Sequence, residues 1–174
     1  MLHLLRTLKL GREAPPPNRG TIHARIHAEL TTLGEARVEY LAAFAGLLAR
    51  AAFADSEISP AEERAMADFL RERAGLDARE ADLVTEITHN AMQALGDVED
   101  YLLTRAFNEC ASAEEKEALI DCLYAVAGAD DLVSGAEDEE IKQIARALMI
   151  PHSRVMSIRG KHRDRLAVLR NLPG

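Results

Sequence analysis

Residues 54–63 read Ala54-Asp55-Ser56-Glu57-Ile58-Ser59-Pro60-Ala61-Glu62-Glu63. Seventy-five positions later they return without a gap as Ala129-Asp130-Asp131-Leu132-Val133-Ser134-Gly135-Ala136-Glu137-Asp138. Both copies carry the chemistry of a helix start. A serine cap is followed three residues on by glutamate, so the hydroxyl can accept the glutamate N–H while the carboxylate accepts the serine N–H. Pro60 adds the residue favoured at the first helical position. The apolar residues keep the same offset, pairing Leu48 with Leu123, Ala52 with Ala127, Met66 with Ile141 and Phe69 with Ile144. Each copy therefore reads as an apolar helix, an acidic turn and a capped helix. Two such units packed about a pseudo-two-fold axis would bring their turns near each other.

Outward from these turns, helix signals fill the chain. Helices are expected over residues 21–33, 35–54, from the Ser59 cap to about Gly75, and from the Asp77 cap to Gly96. Further helices are expected from Asp97, from the Ser112 cap, from the Ser134 cap, and over about 152–172, where Gly160 interrupts the pattern. The capping boxes Ser59/Glu62, Asp77/Glu80, Ser112/Glu115 and Ser134/Glu137 are each worth ~1 kcal/mol. The fold class is all-α, a compact bundle of about seven or eight helices with an internal repeat of the helix–acidic turn–helix unit. Repeat one covers about 35–75 and repeat two about 112–150. Residues 11–20 contain three consecutive prolines and read as a linker, so residues 1–20 form a basic N-terminal segment and residues 21–174 the helical domain.

Composition agrees. Apolar residues make up 48% of the chain, but aromatics only 4%, with no Trp, so the apolar mass is Ala and Leu, strong helix formers. The net charge of −8 is unevenly spread, about +4 over residues 1–27, about +5 over 154–174, and −17 over the body between them. An acidic body repels nucleic-acid phosphates and attracts cations or basic partners, while the basic ends can fold back upon it. Cys110 and Cys122 lie in helical patterns among apolar residues and read as core thiols of a reducing compartment. No apolar run reaches the roughly 18–20 residues that span a bilayer, and a cytoplasmic location is expected. Residues 1–10 (MLHLLRTLKL) offer at most a weak membrane-surface contact.

The two turns carry a resemblance. An Ala-Asp-Gly-x-(Ile/Val)-x-x-x-Glu turn, once in each half of a helical domain, is the signature of the TerB family of tellurite-resistance-associated proteins. It also occurs at the N-terminus of a membrane-anchored DnaJ-like co-chaperone. Asp55, Ile58 and Glu62 match it, as do Asp130, Val133 and Glu137, and the likeness extends over roughly residues 35–150. The sequence departs at the glycine position, where it has Ser56 and Asp131. Of the two, Asp is among the residues that accept a left-handed backbone. The resemblance implies a helical domain with an acidic metal-binding surface in a stress-response setting, and no enzyme.

Asp55, Glu62, Asp130 and Glu137 are the candidate metal ligands, since carboxylates in polar turns suit hard, oxygen-seeking divalent cations. A structural reading stands beside it, in which Glu62 and Glu137 close capping boxes and Asp55 and Asp130 favour helix N-termini. The turns mimic the second half of an EF-hand loop. Its first ligand positions would fall on Ala51 and Phe53, or on Val126 and Gly128, which offer no side-chain oxygen, so that site is excluded. Glu86-x-x-His89 lacks the second such pair of a di-iron bundle, and His23 and His27 lack a third ligand. The function expected is a non-enzymatic module that binds a divalent metal ion, a basic protein partner, or both. A metal-independent interaction scaffold is the alternative, and a metal-assisted hydrolase or oxidase the third option. Nucleic acid is not expected as a partner, and assembly with further copies of the chain remains open.

Overall fold

A computed structural model describes Ala28 and residues 34–52, 58–73, 75–92 and 97–167. Residues 1–20, most of the expected first helix, His23, His27, Asp55 and residues 168–174 lie outside the described residues. Within them the chain forms seven α-helices. These are α1 (Glu35–Ala52), α2 (Pro60–Glu72), α3 (Ala78–Met92), α4 (Asp97–Cys110), α5 (Ala113–Ala127), α6 (Gly135–Ala147) and α7 (His152–Lys161). A 3-10 turn over Arg163–Arg165 follows. The fold is an all-α bundle, and none of its described helices is long and apolar enough to cross a membrane.

The sequence of α1 makes it the axis of the bundle. Its stretch EARVEYLAAFAGLLARAA is apolar on nearly every face, and 13 of its 18 residues are buried, the pattern of a helix wrapped on all sides. It packs against α3, α4, α5 and α6. Gly46 admits α4 closely, because a Cβ there would lie 2.6 Å from Leu103 Cδ2. Tyr40, Phe44, Phe69 and Phe107 form an aromatic cluster between α1, α2 and α4, with ring centroids 5.4–6.2 Å apart.

All four expected capping boxes form. The Ser59, Ser112 and Ser134 hydroxyls accept the N–H of Glu62, Glu115 and Glu137 at 3.1–3.2 Å, and the glutamate carboxylates accept the serine N–H groups at 2.6–2.8 Å. Asp77 and Glu80 do the same at 2.8 and 2.9 Å. The helices they open pack reciprocally, α2 against α5 and α6 against α1, while α1 and α5 touch each other.

Two expectations are corrected. The eighth segment is not one continuous helix. Its helix passes through Gly160, whose surroundings are open, and stops at Lys161. There the chain turns so that Leu166 can form a parallel bridge with Val133. Backbone pairing to a distant residue overrides local helix propensity. Cys110 is not a core thiol, because as the last residue of α4 it is exposed, whereas Cys122 on α5 is buried.

Candidate functional site

Both acidic turns deliver their chain to a capped helix, and the caps aim two carboxylates inward. Glu62 and Glu137 occupy the third position of α2 and α6, where each accepts its serine's N–H through Oε2. They are only 6% and 5% exposed. The capping glutamates of α3 and α5, Glu80 and Glu115, are less buried. The two capping glutamates of the acidic turns are thus set deeper than the other two.

Glu62 and Glu137 line one small cavity of about 10 Å³, close to the size that holds a single water-sized sphere. Its other walls are Leu48, Ala51 and Ala52 from α1, and Leu123, Val126 and Ala127 from α5. These eight residues fall into four pairs, Leu48/Leu123, Ala51/Val126, Ala52/Ala127 and Glu62/Glu137, each separated by 75 positions. The cavity lies where the two acidic units face each other. The wall of this cavity is mostly apolar, and Glu62 and Glu137 are the acidic side chains among its lining residues.

Of the four predicted metal ligands, Glu62 and Glu137 come together at this cavity. Asp130 sits on the exposed surface of the second turn, and Asp55 lies outside the described residues. Among the described residues, no group of three or more His, Cys, Asp and Glu side chains converges as a metal cluster. Asp131 takes φ +84°, so the residue at the signature's glycine position adopts the left-handed backbone that position calls for. Leu132 next to it is 41% exposed, and Val133 turns back into the core.

Sequence spacing does not reveal the polar cluster one residue beyond Glu137. Asp138 is buried and accepts two hydrogen bonds from the Arg159 guanidinium of α7, at 2.7 and 2.9 Å, with 4% and 13% of the two side chains exposed. The Tyr124 hydroxyl donates to the same carboxylate at 3.0 Å, and Lys142 Nζ stands 3.4 Å away. Burial pushes the Asp138 pKa up, but the hydrogen bonds from Arg159 and Tyr124 and the charges of Arg159 and Lys142 more than offset it, leaving it below the ordinary value. Burial raises the Tyr124 phenol well above its usual range, with the Asp138 charge adding to the effect. His162 stacks on Tyr124 with centroids 5.7 Å apart, and its Nε2 lies 2.8 Å from Asp121 Oδ1. Arg154 grips Glu117 through two bonds of 2.7 and 2.5 Å. The basic C-terminal segment therefore does fold back on the acidic body. Its charge was the only sequence signal for this contact.

In the first half the residue after Glu62 behaves differently. Glu63 Oε1 meets His89 Nδ1 at 2.7 Å on an open surface, with side chains 39% and 48% exposed. The pair borders a groove of about 430 Å³ between α2 and α3, which Arg71, Asp82 and Glu86 also line. His89 of the Glu86-x-x-His89 motif is thus engaged by a carboxylate from the neighbouring helix.

The sequence profile of the family described as tellurite resistance protein TerB matches residues 41–160, more than half of the chain and including Glu62, Asp130 and Glu137. No curated protein and no solved structure matches the chain.

Proposed function

The chain belongs to the TerB family, and from that membership we propose that it is a non-catalytic module of a tellurite-resistance-type stress response whose two acidic turns bind a divalent cation. The observation that carries this reading is that Glu62 and Glu137, both buried, line one small cavity. A cation held between two buried carboxylates would offset the cost of burying their charges. Oxygen donors favour calcium or magnesium over softer metals. Asp130, exposed on the second turn, would add negative charge there. Calorimetric titration of metal-free protein with calcium, magnesium, manganese and zinc tests the proposal. A heat of binding that is lost in Glu62→Gln/Glu137→Gln is expected, and no heat with any of the four ions removes the reading.

A second reading is favoured by the second turn itself. Asp130 and Asp131 are exposed, and Leu132 beside them is a partly exposed apolar side chain, a combination suited to docking a basic protein surface. This scaffold predicts partner capture that survives chelation, weakens with salt and is lost in Asp55→Asn/Asp130→Asn. Capture that disappears with chelator alone would return the turn to the cation reading.

A further inference from the structure

We propose that the segment following α7 is a strap across the second acidic turn, and that the Arg159–Asp138 pair is the latch that holds it there. Helix α7 buries only Val155 and Ile158, so it has little apolar hold on the bundle. Arg159 supplies its most buried polar anchor through the two-pronged contact with Asp138, beside the exposed Arg154–Glu117 pair and His162 on Asp121. Six residues later the chain crosses the turn. The Val133 N–H donates to the Arg165 carbonyl at 2.6 Å, and the Ala167 N–H donates to the Val133 carbonyl at 3.0 Å. Leu166 between them is fully buried.

The strap grips the turn at both ends. Val133 immediately precedes the Ser134 cap. At the other end the Arg165 side chain covers Gly128, where a Cβ would stand 2.8 Å from Arg165 Cδ. Asp130 and the left-handed Asp131 lie between these two fixed points. The turn therefore keeps its shape through α7 as well as through its own helices, and opening the latch releases it. Whatever the turn binds is then linked to the docking of α7 by mass action, with the same factor in both directions. The consequence for binding rests on the role proposed above for the turn, but the linkage between latch and turn does not.

Amide hydrogen exchange on the full chain, followed by NMR, tests the linkage without any ligand. In Arg159→Gln the Val133 and Ala167 amides are expected to exchange about tenfold faster, while Leu41 and Leu47 of α1 change less than about twofold, as for a local opening. If Arg159→Gln fails to fold, Arg159→Lys keeps the charge without the fork and is expected to give about a threefold acceleration at the same two amides. Unchanged exchange at Val133 and Ala167 in a folded variant overturns the proposal, as does an equal acceleration throughout α1. Titration of the unaltered protein with calcium, magnesium, manganese and zinc separates the two ideas. Silence with all four ions, alongside accelerated Val133 exchange in the variant, removes the cation reading and leaves the latch in place.

Discussion

The two acidic units share a frame and differ one residue away from it. Glu62 and Glu137 have the same cap, the same burial and the same cavity. Their neighbours Glu63 and Asp138 do not behave alike. Glu63 pairs with His89 at the surface, whereas Asp138 is sealed under α7 between Arg159, Tyr124 and Lys142. Position 49, equivalent to Tyr124, is alanine, so the first half has no hydroxyl to offer its acid. What the halves keep in common surrounds the cavity, and what they change lies where the next helix in sequence covers the outgoing one. In the first half α3 lies against α2, and in the second α7 lies against α6.

The largest test of this contrast is the removal of each acid's partner. Arg159→Ala leaves the buried Asp138 with Lys142 as its remaining counter-charge and should cost up to ~3–5 kcal/mol in denaturant unfolding. His89→Ala, at an exposed pair, should cost no more than ~1 kcal/mol. Equal losses would erase the distinction between the halves. Next come the cavity walls, where Leu48→Ala and Leu123→Ala should each cost ~2–5 kcal/mol. Values within about 1 kcal/mol of each other would sharpen the equivalence of the two walls. Ser59→Ala and Ser134→Ala should each cost ~1 kcal/mol, again alike. The smallest effect belongs to Asp131→Gly, which relieves a left-handed side chain and should raise stability by up to ~1 kcal/mol in thermal unfolding.

Acid separates the halves as well. The Asp138 pKa is depressed in the fold, so its contribution is complete above the carboxylate's ordinary value near 3.8 and is lost as pH falls through the lower, folded value. Tyrosine near-ultraviolet dichroism is expected to hold steady through pH 4 and to change only in stronger acid. Asp138→Asn should remove that acid-dependent change, and a midpoint unaltered by it would assign the transition to other carboxylates.

Local chemistry made much of this legible in the sequence. Ser59, Asp77, Ser112 and Ser134 announced four helix starts because a cap and its glutamate are three residues apart, and such contacts need no knowledge of the tertiary fold. The apolar spacing of α1 marked a core-facing helix, whereas its burial on nearly every side depends on the helices that wrap it. The pairing of Glu62 with Glu137 could be anticipated only as a consequence of the repeat, since nothing in either turn names its distant counterpart. Asp138 with Arg159 escaped altogether. The two lie on different helices 21 residues apart, and buried ion pairs leave no spacing rule in a sequence this rich in both charges. The end of α7 escaped for a related reason, because the pull of Val133 on residues 165–167 is written in a turn more than 30 residues upstream. The φ of Asp131 was foreshadowed only by the family signature, which carries glycine where this chain carries an acid.

The absence of tryptophan gives the buried phenols an optical value. Tyr40 belongs to the aromatic cluster between α1 and α4, with its ionisation pushed up to about 12 by burial first and then by the nearby Glu115 charge. Tyr124 belongs to the sealed carboxylate beneath α7. Ultraviolet signals from these rings need no correction for indole, so the protein carries a native chromophore in each half of its core.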